Sequence, residues 1–358
     1  AVAGTANDVL VRVPMVVDNG GTLEVFGKGS PAIYINGRKV NDLQELSQLN
    51  SGDIKNVEVI TNPGASYAAD VKSVIRIRTK PPKGDGFSGI LRSDNGFQHY
   101  FRTGNSLDLK YRTGGLEIFA NYGWWRGNTR FDRLNDMNTT TSKGTYRQFV
   151  STIGKESYND MTGKLGFSYM INDRHSIGAY YQNSWNRHNT DGTIPSEIWQ
   201  DGILLDLYNS DVHNQSTAVP RHYANIYYNG IVGKLNIDFN ADYIWYKSRE
   251  LTFNNELSEM GNDREVNTSS INRNRMFAEK LVMTYPLWKG QIEIGEEYTN
   301  TRTTNLFSAN IPETPNADNR VDENNIAVFA ELGQQFGRFM IGAGLRYEHV
   351  KFNYYEMG

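Results

Sequence analysis

Residues 234–246 read Lys-Leu-Asn-Ile-Asp-Phe-Asn-Ala-Asp-Tyr-Ile-Trp-Tyr. On a strand, Leu235, Ile237, Phe239, Ala241, Tyr243 and Trp245 share one face, and Lys234, Asn236, Asp238, Asn240 and Asp242 share the other. Successive side chains of a strand point to opposite faces, so this pattern separates an apolar side from a polar one. A strand of a soluble sandwich averages about five or six residues. A strand that crosses a bilayer needs about nine to eleven, apolar outward and polar inward. The apolar side here is long enough and ends in aromatics, which favour the membrane–water boundary.

The same period recurs downstream. Leu116, Ile118, Ala120, Tyr122 and Trp124 form one apolar series, and Leu165, Phe167 and Tyr169 another. Ile177, Ala179 and Tyr181 follow, then Ile326, Val328, Ala330 and Leu332, and Phe339, Ile341, Ala343, Leu345 and Tyr347. Glu296 interrupts the series begun by Ile292 and Ile294, which predicts a bulge there or a strand that has already left the lipid. Roughly eleven such strands are expected, against a range of 8 to 26 and beyond for outer-membrane barrels. Short connections at 112–115, 172–174, 229–230, 288–290 and 335–337 alternate with polar segments near 126–150, 188–220, 256–271 and 308–323. Short turns on one side and long loops on the other are the barrel pattern.

Composition agrees. Mean hydropathy is −0.58 and no apolar run reaches eighteen residues, so no membrane-spanning helix is expected. Barrel strands average out to such values because lipid-facing and lumen-facing residues alternate. The net charge of −3 argues against a nucleic-acid partner. The chain has no Cys, which excludes disulfide scaffolds and thiol catalysis. It begins at Ala1 without a basic and apolar leader, so any signal peptide is expected to have been removed or left out.

Residues 1–82 differ in texture. Val16-Val17, Leu23 to Phe26 and Ala32 to Ile35 read as short strands between Gly- and Asn-rich turns. Leu43, Leu46 and Leu49 predict a helical segment that Asn41 or Asp42 could cap. Val57 to Ile60 and Val74 to Arg78 are two more strands. Lys80-Pro81-Pro82-Lys83-Gly84 ends this region, because proline cannot donate to a ladder.

Pro31 to Arg38, Leu43 to Leu49, Asp53 to Tyr67 (with Asn62-Pro63-Gly64-Ala65-Ser66-Tyr67) and Val74 to Lys80, in that order, resemble the plug domain of TonB-dependent outer-membrane receptors. The resemblance covers residues 10 to 80 and is closest to the branch common in Bacteroides-like bacteria; the rest resembles the family by texture alone. It implies a plug at 1–82 and an outer-membrane barrel, N-terminal part, at 86–358. The whole would be a barrel of about 22 strands with a filled lumen. Met15 stands where the family usually has Gly, and no TonB box precedes the plug. Eleven strands would leave two open edges in lipid, so the chain is expected to be the front part of a longer protein. The implied partners are membrane lipid, an inner-membrane TonB-type energy-coupling complex and surface lipoproteins.

Gly27-Lys28-Gly29-Ser30-Pro31-Ala32 looks superficially like a phosphate-binding turn. It precedes a strand rather than a helix, so a tight turn is the better reading. The family resemblance implies substrate-facing loops there and after Asn36-Gly37, which nominates Lys28, Arg38, Lys39 and Asn41 for substrate binding. Lys28, Arg38 and Lys39 would favour an anionic ligand, and Trp125, Trp199 and Tyr146 in the long segments would pack on its apolar patches. Arg76, Arg78 and Lys80 are expected to pair with inward carboxylates such as Glu117, Asp238, Asp242 or Glu331. Asp318, Asp322 and Glu323 could bind calcium, although a solvated loop is the simpler reading. The six His show no metal-ligand spacing, and no nucleophile–His–carboxylate set stands out. Neither an enzyme nor a cofactor is expected. The fold class is mostly β, a transmembrane antiparallel β-barrel with an N-terminal α+β plug. The expected function is energy-coupled nutrient import, or alternatively a non-transporting barrel that docks surface proteins.

Overall fold

The computed structural model describes residues 4–19, 22–36, 38–40, 43, 46, 49–61, 63–68, 71–80 and 84–357, with backbone only at 38, 218 and 219. The N-terminal part opens with α1 (Ala6–Leu10), a single turn that periodicity did not reveal. Asp8 accepts a bond from the Thr5 backbone N–H at 2.7 Å and closes a capping box. Then come β1 (Val16–Asn19), β2 (Thr22–Val25), β3 (Ala32–Ile35), β4 (Arg38–Lys39), β5 (Ile54–Ile60) and β6 (Val74–Thr79). β1 and β2 form a hairpin, and the other four make a sheet of order β4-β3-β6-β5 in which β3 and β6 run parallel.

Apolar residues from α1 and from every strand here except β4 close one core with Val40 and Leu46, among them Leu10, Val25, Ile33, Ile75 and Ile77. The expected helical segment falls largely outside the described residues, but Leu46 is fully buried in this core while Leu43 is exposed. Met15 adopts φ 72°, a left-handed conformation that glycine enters without steric cost.

The rest is one antiparallel meander: β7 (Gly86–Gln98), β8 (Tyr100–Thr113), β9 (Leu116–Thr141), β10 (Gly144–Asn172), β11 (His175–Gln200), β12 (Ile203–Val232), β13 (Leu235–Ser258), β14 (Arg264–Leu287), β15 (Gly290–Ala309), β16 (Ala317–Phe336) and β17 (Phe339–Glu356). Each strand pairs with its sequence neighbours, giving eleven strands in one sheet from β7 to β17.

The two longest polar segments are not loops, whereas 259–263 and 310–316, inside the other two, do connect strands. Residues 126–150 and 188–220 continue the ladders of β9–β10 and β11–β12, and connections are short at both ends of the sheet. The β11–β12 turn is Asp201-Gly202 with φ 49° and 81°, the backbone a two-residue hairpin demands. Asymmetry therefore resides in how far strands run beyond the apolar band. Polarity hid this, because both faces of a strand are wet outside the bilayer and alternation disappears. Pro220, which cannot donate to a ladder, falls inside the β12 bulge between Ala218 and His222.

One face of the sheet meets the N-terminal unit: Lys280 and Glu331 bond its backbone. Asp238 stands on that inner face, near Arg76 and Lys280. Alternation then turns Leu235, Ile237 and Phe239 outward. The outer face continues through Ile226, Phe277, Ile294, Ile326 and Leu345, all exposed. Glu296 belongs to this face, in register between Leu281 and Val328 with no bulge, so the apolar band tolerates a carboxylate, a smaller cost there than Arg or Lys.

The outer series of β13 runs from Leu235 to Trp245, and its middle is Ala241, paired with Ile226. Ile226→Arg is expected to cost about 2–4 kcal/mol, whereas Ile237→Arg, near the short-turn end, should cost only about 0–1. Urea unfolding in lipid vesicles reads both, and equal costs would refute the depth assignment.

Candidate functional site

The turn at 63–67 and strand β6 place a set of polar groups against β14–β17. Gly64 approaches the wall so closely that a Cβ there would sit 2.1 Å from Glu331 Oε2. The same carboxylate accepts the Ala65 backbone N–H at 3.0 Å. Opposite, Gly344 leaves room for Ala65, since a Cβ on Gly344 would lie 2.9 Å from the Ala65 Cβ. Lys280 Nζ donates to the Ser66 carbonyl at 2.6 Å and lies 5.3 Å from the centre of the Tyr67 ring.

These contacts belong to a charged chain across three strands. Lys280 and Glu297 pair at 2.6 Å, Glu297 pairs with Arg346 at 2.6 Å, and Arg346 pairs with Glu348 at 3.2 Å. Phe329 is buried beneath Lys280 and Arg346, both of which lie over its ring. In the N-terminal unit, Arg76 Nε donates to the Tyr67 hydroxyl at 2.7 Å, and Tyr67 meets Tyr34 edge-on at 5.7 Å. Burial pushes both tyrosine hydroxyls above their ordinary range, so both stay neutral. Burial also works against the charge on Arg76, but Tyr67, Glu58 and Glu293 outweigh it and hold the guanidinium protonated.

The inward-carboxylate expectation is met in part. Arg76 reaches Glu58 of its own unit at 3.9 Å and stands near Glu293 and Asp238. Lys80 instead donates to the Gly52 carbonyl. Glu117 pairs with Arg112 of the neighbouring strand, Asp242 accepts from Tyr223 and Asn225, and Glu331 serves a backbone amide. Lys280, Glu297 and Arg346 were missed. Their only sequence signal is a charge on the non-lipid face of an otherwise apolar strand, and they meet only in space.

Of the nominated binding residues, Lys28 is partly buried in the turn after β2 and Lys39 is exposed on β4, the end strand of its sheet. Arg38 shares β4, with its side chain outside the described residues, as is Asn41 altogether. The three aromatics do not converge. Trp125 lies opposite Asp160, Tyr146 opposite Thr139, and Trp199 opposite Arg147 on the other face. Asp322 is held by Arg302 at 2.8 Å and by Arg320 at 3.4 Å, and no metal-holding group of three His, Asp or Glu occurs among the described residues. Higher on the inner face, His188 bridges Glu156 at 2.8 Å and Asp160 at 3.0 Å.

Glu331→Ala removes the acceptor of the Ala65 amide. A bond to a charged group is worth about 1.5–3 kcal/mol, so that amide should exchange with solvent about 10- to 100-fold faster. Unchanged exchange would show that the turn is held elsewhere.

Residues 232–357 match the Outer membrane protein beta-barrel family. That match, over strands with a predominantly apolar outer band, places the sheet in the outer membrane. Solved structures with a similar arrangement include the ferric citrate transporter FecA (11% identity, 93% of this chain, 61% of that chain, TM-score 0.34). Two others are the ferric preacinetobactin receptor BauA of Acinetobacter baumannii (11%, 99% and 74%, TM-score 0.35) and the ferric yersiniabactin uptake receptor FyuA of Yersinia pestis (10%, 97% and 70%, TM-score 0.37). The chain thus spans less than two thirds of the first of these. No curated protein matches it.

Proposed function

We propose that this chain is part of an outer-membrane import receptor in which residues 4–80 act as a movable plug. The carrying observation is the docking surface itself: Lys280 on Ser66, Glu331 on Ala65, and the charged chain behind them. An interface built on hydrogen bonds from charged wall side chains to backbone groups can be exchanged for water during a transient displacement, whereas an apolar one would resist it. The N-terminal unit also has its own apolar core, so it can shift as a body without unfolding.

The plug would couple to a TonB-type inner-membrane complex, and Lys28, Arg38, Lys39 and Asn41 would meet an anionic solute. The reading makes the chain a binding and gating device rather than an enzyme. The test compares cells with and without the full-length protein for solutes they accumulate, each with and without a protonophore. At least one solute should depend on both the protein and an energised membrane. If no solute shows both dependences, import is refuted and a docking scaffold becomes the better reading.

A further inference from the structure

The outer face changes character abruptly above the apolar band. Trp124, Trp185 and Trp245 stand on that face with Tyr181 and His222. The next outward positions are basic. Arg126 follows Trp124, Arg187 follows Trp185, and Lys247 and Arg249 follow Trp245. On β14, Arg275 lies directly opposite Trp245, and Arg273 directly opposite Lys247. Register makes this a continuous row, with Arg126 opposite Asn159, Asn159 opposite Arg187, Arg187 opposite Thr217 and Thr217 opposite Arg249.

Two features set the row apart from an ordinary solvated surface. Like charges directly across a ladder are destabilising, yet Lys247 faces Arg273 and Arg275 faces Arg302. Of these, Arg302 has a carboxylate, Asp322. Among the described residues, Arg126, Arg187, Lys247, Arg249, Arg273 and Arg275 form no ion pair, whereas Arg112, Lys280 and Arg346 of the inner wall do. The row also carries matching donors and space. Trp124 Nε1 donates to Asn159 at 2.8 Å, linking girdle to row. Arg126, Asn159 and Arg187 line a groove of about 770 Å³ beside Tyr100 and Phe101.

We propose that this outer row binds the phosphate-bearing head groups of lipids in the outer leaflet, with Lys247, Arg249, Arg273 and Arg275 as its centre and the groove at Arg126 and Arg187 as a second seat. Charge complementarity and position decide the occupant. The row begins where the tryptophans mark the end of the hydrocarbon, which is the depth of lipid phosphates. A soluble anion would have no reason to prefer that depth. The assignment rests on the membrane placement of the sheet and holds whether or not the protein imports a solute.

The full-length protein is tested in phosphatidylcholine nanodiscs doped with phosphatidic acid, with retained lipid read by native mass spectrometry. Each basic side chain contributes about fivefold toward an anionic surface. The K247Q/R249Q/R273Q/R275Q variant should therefore lose about 100-fold or more of its preference for phosphatidic acid. The charge-retaining K247R/R249K/R273K/R275K variant should keep it. Heat-modifiable mobility on a gel reports assembly, and if the fourfold Gln variant fails to assemble, K247Q/R273Q reads the same preference with a smaller loss. Equal phosphatidic acid retention by an assembled Gln variant overturns the proposal. Displacement of the bound lipid by inorganic phosphate alone also overturns it and assigns the row to soluble anions.

Discussion

Oxidising an Ala65→Cys/Gly344→Cys variant should stop import completely. The protein has no native Cys, so a single cross-link can form. A Cβ on Gly344 lies 2.9 Å from the Ala65 Cβ, somewhat inside the ~3.5–4.5 Å of a bridged pair, and a small outward shift of the turn suffices. The bridge would tie the 63–67 turn to β17 while leaving barrel and binding loops intact. Uptake of a solute that depends on the protein should fall to the level of cells lacking it, and a reductant should restore it. Each single Cys variant should transport normally. Full transport by the oxidised double variant would mean that the turn never leaves the wall, and plug gating would be refuted.

Glu297→Leu should weaken docking and wall together. Glu297 is the shared carboxylate of Lys280 and Arg346. Removing one partner of a buried pair costs about 3–5 kcal/mol. About a quarter of each side chain is exposed, 25% for Lys280 and 24% for Glu297, so solvent screening places the loss at or below the low end of that range. Arg346 keeps Glu348, but Lys280 is left with the Ser66 carbonyl, two ring faces and the more distant Asp238 carboxylate. Lys280→Met/Glu297→Leu should recover part of the loss, because an apolar pair carries no uncompensated charge. A double-mutant cycle on urea midpoints checks this, and strictly additive losses would show that the two residues act independently.

The barrel strands were legible because the bilayer imposes a strict division between two faces. Leu235 to Trp245 could be assigned from alternation alone, and the structure puts each on the outer face. Legibility stopped where that constraint stopped. Residues 188–220 carry Asn, Asp and Ser on both sides and read as a loop, although they form one long, bulged hairpin with turn residues Asp201-Gly202. The docking site was half visible. The Asn62–Tyr67 motif marked one side of it, and Tyr67 is indeed buried near the wall. The wall side comes from Lys280, Glu297, Glu331 and Arg346, on four strands whose spacing along the chain carries no hint of their meeting. Only Glu331 could be nominated, and for a different partner.

The ladders that continue past the apolar band carry a consequence for the cell surface. β12 alone has 30 residues; at about 3.3 Å each and a tilt near 40° it rises roughly 75 Å, far more than the ~25 Å apolar band. A protease must take its substrate as a single unpaired strand, and a paired ribbon denies it one. Cleavable chain is confined to tips such as 142–143, 201–202 and 259–263. What stands outside the membrane is therefore armoured by its own backbone, and a nick at a tip would leave both halves of a hairpin still zipped together.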